Sequence, residues 1–229
     1  MFNKKFITAV IPAKGNSVGV PKKNLKKVFG KAIVTYTIEA AKNSRYIDNI
    51  CVATNSKKIA RLSEEQGVDF IMDPAEPVWN SFLDRILEHN INSLAKKGKK
   101  TDVAILLQPT SPLRDNKDID AAIERFYSEK ADSLLSVVNS HEFLWKENEN
   151  GAYPLNYKPA KRPVRQEMKQ YAENGALYII KKDLLYKNHC RLGGKIALYI
   201  MPQSKSTQID SELDLKIIKE NLKSIKEKK

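Results

Sequence analysis

The sequence predicts an α/β fold: a mostly parallel sheet with helices on both faces. Three observations predict it. Apolar runs of strand length recur from Phe6 to Val138. Stretches with apolar residues at three- and four-residue spacing lie between them, and the two kinds alternate. The runs are continuously apolar rather than alternating, as strands buried on both faces require.

The elements follow in order. Phe6 to Ile11, closed by Pro12, is the first strand. After a loop rich in Gly and Lys, Ile33, Val34, Tyr36, Ile38, Ala40 and Ala41 mark the first helix. Ile50 to Ala53 is a strand, Lys57 to Gln66 a helix, and Val68 to Met72 a strand. From Asn80, the residues Leu83, Leu87, Ile91 and Leu94 form one apolar stripe of an amphipathic helix. Val103 to Leu107 is a strand, Ile119 to Phe126 a helix face, and Ser133 to Val138 a strand. The alternation then breaks. Residues 139–175 are polar and carry Gly151, Pro154, Pro159 and Pro163 in loose spacing, so they read as an inserted arm. Strands resume near Ala176 to Ile180 and Ile196 to Met201. A last helix starts near Ser211, with Leu215, Ile218, Leu222 and Ile225 on one side, and the run from Lys223 to Lys229 reads as its solvated end.

A chain of 229 residues suits one compact domain with a small appendage, so 1–229 is read as a single domain with 139–175 as its arm. No apolar run is long enough for a membrane span, and the first residues are too short in apolar character for a signal peptide. Cys51 and Cys190 show no metal-ligand spacing. These features point to the cytoplasm. The formal charge of +13 invites nucleic-acid binding. The lysines are dispersed, however, and no basic run is interleaved with stacking aromatics, so a solvated surface is the simpler reading.

Ligands of such sheets bind at the carboxyl ends of the strands, which selects the loops after Ile11, Leu107 and Val138. The first of these runs Pro12-Ala-Lys-Gly-Asn-Ser-Val-Gly-Val-Pro-Lys-Lys-Asn24. Gly15 and Gly19 permit close backbone approach, successive amides can form an anion nest, and Lys14 and Lys23 suit a triphosphate. Neither the Walker A nor the dinucleotide fingerprint is present. From these residues alone, an anion loop and a Gly/Lys-rich surface turn are equally good readings.

Four segments together resemble the acylneuraminate cytidylyltransferases, the CMP-sialic acid synthetases and their legionaminic and pseudaminic relatives. They are Pro12–Ser17 with Pro21–Asn24; Leu106-Leu-Gln-Pro-Thr-Ser-Pro-Leu-Arg114; Arg162-Pro-Val-Arg-Gln166 with Glu173-Asn-Gly-Ala-Leu-Tyr178; and Ile209-Asp-Ser-Glu-Leu-Asp-Leu215. The second is the most specific, and it differs from the corresponding motif of the Kdo-activating relatives. The resemblance implies a Rossmann-like core, a dimerisation arm, CTP and Mg²⁺. It implies attack of a sugar-acid oxygen on the α-phosphate of CTP, with pyrophosphate leaving. It implies nucleotide contacts from Pro12, Ala13, Lys14, Gly15, Asn16, Ser17, Lys23, Asn24 and Gln108. For the acidic sugar it implies Gln108, Lys146, Arg165, Asn174 and Tyr178, and for the metal Asp210 and Gln208. Lys14, Lys23 and Asp210 carry the catalytic expectation. Read locally, Tyr178 also suits the core, Asn174 a turn, Lys146 a solvated charge, and Asp210 a helix N-cap with Ser211 and Asp214 as a capping box.

The chain departs from that pattern at five places. The resemblance leads one to expect Arg at Lys14, a basic residue at Val18, Arg at Asp73, Asp at Asn80, and an aspartate at Gln208 two residues before Asp210. The segment 73–80 would therefore be an altered site wall, and the metal would rest on one carboxylate. These departures keep two other readings open: a different acceptor or nucleotide on the same fold, or a binding protein that retained the fold without turnover.

Overall fold

The structure, a computed structural model, describes residues 2–17, 19–72 and 83–227, with backbone only at 226 and 227. Val18, Asp73 and Asn80, and with them the expected 73–80 wall, lie outside the described residues.

A seven-stranded sheet forms the centre, in the order β11-β7-β10-β6-β1-β4-β5. Its strands are β1 (Ile7–Pro12), β4 (Asn49–Thr54), β5 (Asp69–Met72), β6 (Val103–Leu107), β7 (Ser133–Ser140), β10 (Gln170–Lys181) and β11 (Ile196–Ile200). All neighbouring pairs are parallel except those of β10, which runs antiparallel to both β6 and β7. Every strand expected from the apolar runs is present.

Burial follows the pleat. Ala9, Ile11, Ile105, Leu107, Leu177 and Ile179 join one core. Val10, Ala104, Leu106, Tyr178 and Ile180 join another, on the opposite face. The first face is covered by α1 (Ile33–Lys42), α2 (Lys57–Glu65) and α4 (Asn116–Ser128) through Val34, Ile38, Ile59, Ile119, Ile123 and Phe126. The second is covered by α3 (Leu83–Lys96) and α5 (Lys182–Asn188) through Ile86, Leu87, Ile91 and Leu185. Helix α6 (Glu212–Glu227) forms a third cluster, in which Ile218 and Leu222 pack with Val20, Leu113 and Ile209. It therefore backs the loop after β1.

Helix α4 is bounded by a capping box. The Asp115 carboxylate accepts the Asp118 N–H, and the Asp118 carboxylate accepts the Asp115 N–H. A small hairpin, β2 (Lys27–Val28) with β3 (Lys31–Ala32), turns the chain into α1.

The inserted arm is more ordered than its composition suggests. β7 reaches Ser140 and β10 already starts at Gln170, so 139–140 and 170–175 belong to the sheet. Between them stands the hairpin β8 (Trp145–Asn148) with β9 (Gly151–Pro154). Its base is pinned by Asn156, whose Nδ2 donates to the Glu142 carbonyl at 2.8 Å and to Gln170 Oε1 at 2.7 Å. Leu144, Trp145, Leu155 and Val164 are left exposed on it.

Candidate active site

The loop after β1 leaves the carboxyl edge of the sheet, and its start is held by the neighbouring strand. Pro12 and Ala13 are buried, Ala13 N–H donates to Ala53 O at 2.8 Å, and Thr54 Oγ1 donates back to Ala13 O at 2.7 Å. Gly15 N–H donates to Asn55 Oδ1 at 2.8 Å. A Cβ on Gly15 would stand 2.7 Å from Ser56 Cβ, so only glycine lets the loop lie this close to the turn after β4. The Gly15 amide, expected in an anion nest, is thus already engaged by Asn55. Asn16 is exposed and Ser17 half-buried. A cavity of about 630 Å³ opens beside them, lined among others by Gly15, Asn16, Pro21, Lys22, Asn55 and Ser56. The Lys14 amine has no hydrogen-bond or ion-pair partner among the described residues.

The far end of the loop meets the segment before α6. Lys23 Nζ donates to Ile209 O at 2.6 Å and to Asp210 Oδ1 at 3.2 Å. Asp210 remains 73% exposed at its side chain while Lys23 is 15% exposed. Gly19 lies directly on this segment, since a Cβ there would come within 2.5 Å of Asp210 O. Asp210 is not the cap of α6. Ser211 takes that place, its Oγ accepting Asp214 N–H at 3.2 Å, while Asp214 Oδ2 accepts the N–H groups of Asp210 and Ser211. The Asp210 carboxylate is therefore not consumed by capping. Asn24 is buried, and its Nδ2 donates to Lys14 O at 2.8 Å. That bond braces the loop from inside.

Gln108 follows β6 and is half-buried. Thr110 Oγ1 makes a long bond to its Oε1 at 3.4 Å, and Thr110 O accepts Ile209 N–H at 2.9 Å. The two segments that carry Gln108 and Asp210 are thereby joined. Opposite stands Gly175, in the irregular stretch of β10 between Glu173 and Tyr178. Its φ of +63° favours glycine, and a Cβ there would meet both the Gln208 amide nitrogen and Gln108 Oε1. Gln208 Nε2 donates to Asn174 O, a bond that an aspartate could not make.

Asn174 turns its side chain inward. Its Oδ1 accepts from Ser136 Oγ at 2.6 Å, and its Nδ2 lies on Met201 Sδ at 3.2 Å. Tyr178 is buried in the second core, its hydroxyl donating to Glu173. Burial, and then the Glu173 carboxylate, push the phenol up to about 12. Arg191 covers the Tyr178 ring at 4.5 Å and donates from Nη1 to both oxygens of buried Asp84, at 3.1 Å to each.

Lys146 lies exposed on β8, and Arg165 is exposed at the start of a 3-10 turn. Arg165 lines a separate cavity of about 470 Å³ with Asn139, Ser140, His141, Glu142 and Gln203. The chain of contacts thus joins Lys14, Lys23, Asn24, Gln108, Asn174, Gln208 and Asp210, and leaves Lys146 and Arg165 on the arm beyond it.

Sequence reasoning missed Asn55 and Ser56, although they sit in the loop after an expected strand at the same carboxyl edge. It also gave no role to Thr110, Arg114, Arg191 or Lys205. Among the described residues, no group of three or more His, Cys, Asp and Glu side chains is placed to hold a metal ion. The oxygen groups here that suit a hard cation include the exposed Asp210 carboxylate, one oxygen of which accepts from Lys23, and the amide carbonyl of half-buried Gln208. Such a sparse set fits Mg²⁺, which keeps waters and takes substrate phosphates as ligands.

A lysine-bearing loop at the carboxyl edge of an α/β sheet, joined to the Asp210 carboxylate and close to the Gln108 segment, suits the nucleotidyltransferase class. The chain belongs to the cytidylyltransferase family, whose model matches residues 8–229. It is 33% identical to N-acylneuraminate cytidylyltransferase A of Danio rerio over 217 residues, 92% of this chain and 49% of that protein. It is 30% identical to post-translational flagellin modification protein B of Campylobacter coli, covering 93% of each. The chain spans about half the length of the first of these relatives. Its fold is shared with a CMP:2-keto-3-deoxy-manno-octonic acid synthetase solved with CTP, at a TM-score of 0.70, 17% identity and coverage of 96% and 99% of the two chains.

Proposed function

We propose that this chain transfers CMP from CTP to an acidic sugar of the sialic, legionaminic or pseudaminic type and releases pyrophosphate. One observation carries the reading: Lys23 and Asp210 meet where the loop after β1, the Thr110–Ile209 contact and the end of the sheet converge, and Lys14 stands on the same loop. The name of the Danio rerio relative, an N-acylneuraminate cytidylyltransferase, supports the substrate class. A hydroxyl oxygen of the sugar acid bonds to the α-phosphorus as the bond from that phosphorus to the oxygen bridging to the β-phosphate breaks; the electron pair leaves with pyrophosphate and the hydroxyl proton passes to water. Catalysis of this kind is charge placement. Lys14 and Lys23 would neutralise the leaving group, with Pro12, Ala13, Gly15, Asn16 and Ser17 shaping the loop around it. Gln108 would bridge nucleotide and sugar, and Arg165 would hold the sugar carboxylate in a bidentate pair. Lys146 would add charge from the arm. Asn174 and Tyr178 act in this reading by supporting the Gly175 turn and its flank, and Asn24 by bracing Lys14.

Asp210 would hold Mg²⁺, with Gln208 offering a neutral carbonyl, and the bound ion would supply further charge neutralisation at the phosphates. The exposed Leu144, Trp145, Leu155 and Val164 of the arm suit a homodimer. In this reading the reaction takes place in the cytoplasm. The test is pyrophosphate release from CTP and Mg²⁺ across sialic, legionaminic and pseudaminic acids, with the other nucleoside triphosphates and sugar phosphates as controls. Release that requires CTP and one of these acids is expected. Release only with another nucleotide or a sugar phosphate would replace this reading by a different transferase.

A further inference from the structure

Behind the site, four charged side chains form a cluster. Lys205 ends a 3-10 turn in the loop between β11 and α6. Its Nζ donates to Asp115 Oδ2 at 2.9 Å and to Asp118 Oδ2 at 2.7 Å, the two carboxylates of the α4 capping box. Tyr199 of β11 donates its hydroxyl to Asp118 Oδ1 at 3.1 Å. Arg114, just before the box, is 1% exposed and donates from Nη1 to Ala176 O at 3.1 Å, while its Nε and Nη2 have no hydrogen-bond partner among the described residues. Burial pulls this guanidinium down to about 10 against the upward pull of Asp118 and Asp115. Burial would also lower Lys205, but its bonds to Asp118 and Asp115 outweigh that and hold it above the ordinary lysine value.

The cluster therefore balances two cations against two carboxylates, and each cation reaches a different part of the site. Arg114 holds the carbonyl of Ala176, the neighbour of Gly175. Lys205 holds the loop that carries Gln208 and Asp210. That loop has few other ties. Its backbone bonds at Lys205 and Ser206 are local, to Pro202 and Gln203. Its outside anchors are Met201 N–H on Val137 O, Ile209 N–H on Thr110 O, Lys23 Nζ on Ile209 O and Asp210 Oδ1 at its far end, the Gln208 amide on Asn174 O, and a long Asn221 contact to Ser204 O at 3.5 Å.

We propose that Lys205 is a positioning residue: by clamping the 202–208 segment to the α4 capping box, it fixes Gln208 and Asp210 against Gln108 and the Gly175 turn. Its consequence for turnover rests on the functional reading above. Replacing Lys205 by Met keeps an apolar stem and removes the cation, leaving Asp115 and Asp118 balanced by Arg114 alone.

The clamp itself is read without turnover, by hydrogen exchange of the amides from 203 to 210. Lys205→Met should raise their exchange by about tenfold, and Lys205→Arg should hold it near wild type. In the turnover assay, Lys205→Met should lower kcat by about ten- to a hundredfold, as misplacement of about 1 Å does, with CTP affinity within about threefold of wild type. Lys205→Arg should restore most of kcat. Asp115→Asn should lower kcat as well, and the double variant Asp115→Asn with Lys205→Met should be no worse than Lys205→Met alone. Unchanged exchange in Lys205→Met would overturn the clamp, and raised exchange with unchanged kcat would overturn the positioning role. So would additive losses in the double variant. If the wild-type chain released no pyrophosphate with any acidic sugar, the functional reading alone would fall, and the exchange comparison would decide the clamp.

Discussion

Lys23 and Asp210, 187 residues apart in the chain, meet at 3.2 Å, and the same amine donates to Ile209 O at 2.6 Å. The lysine is thus half-committed to protein before any triphosphate arrives, whereas the Lys14 amine has no partner among the described residues. The two lysines should behave differently. Lys14→Ala removes charge from the site and nothing from the fold, so it should lower turnover by about 10²–10³ with an unchanged melting temperature. Lys23→Met removes charge and also unties the Asp210 segment. It should weaken CTP binding and lower the melting temperature together, measured by titration calorimetry and thermal melts. Near-normal kinetics in Lys14→Ala would mean that the loop after β1 is not the phosphate site.

Gly19→Ala isolates the same junction from charge. The added methyl would stand 2.5 Å from the Asp210 carbonyl, a backbone atom that cannot swing aside. The loop and the Asp210 segment must part by several tenths of an ångström. Turnover should fall by about 10²-fold, because reacting groups tolerate little displacement, while an exposed loop position costs little stability. Wild-type kcat in Gly19→Ala would show that the spacing between loop and Asp210 does not matter to the reaction.

The sheet was legible because burial on both faces leaves runs such as Ile7–Pro12 and Val103–Leu107 almost wholly apolar. The hairpin β8–β9 was not, since nearly all of its residues are exposed and nothing enforces a period of two. The start of β10 was hidden for the same reason: Tyr171, Ala172 and Glu173 face solvent although they pair with β7. The loop after β1 announced itself through Gly and Lys, but its brace did not. Asn55 is an ordinary polar residue until folding puts it on the Gly15 amide. Lys205 gave no local signal either, because both of its partners lie more than 80 residues away.

Asp115 supplies a prediction in pH. Burial alone would raise its carboxyl, but the bonds from Lys205 and the Asp118 amide outweigh that and hold it below the usual aspartate value. Its contribution to stability is therefore present above the unfolded value of about 3.9 and is lost as pH falls through the lower folded value. Lys205 has the opposite sign: its raised value makes its contribution complete below about 10.4 and lost as pH rises through the folded value. Asn remains a good N-cap, so Asp115→Asn tests charge and not capping. The difference in urea midpoint between wild type and Asp115→Asn should be flat from about pH 5 to pH 9 and shrink on either side. A difference that stayed constant down to about pH 2 would mean that Asp115 is not stabilised as an anion.

The pair of Arg191 with Asp84 supports the other flank of the site. Asp84 is in the first turn of α3, is buried, and accepts from Arg191 N–H at 2.7 Å as well as from the guanidinium. The guanidinium also roofs the Tyr178 ring. Arg191→Met leaves the carboxylate buried with only backbone donors and the favourable end of the helix dipole to hold it. The loss should be about 3 kcal/mol, the lower end for a broken buried pair, because Arg191 is 21% exposed and water can reach part of the gap. Adding Asp84→Asn should recover a good part of that loss, since the uncompensated charge is then gone. Denaturant unfolding of the single and double variants measures both. A double variant as unstable as the sum of the single ones would show that the two residues stabilise the fold independently, with the Arg191 contribution lying in its stack on Tyr178 and not in the ion pair.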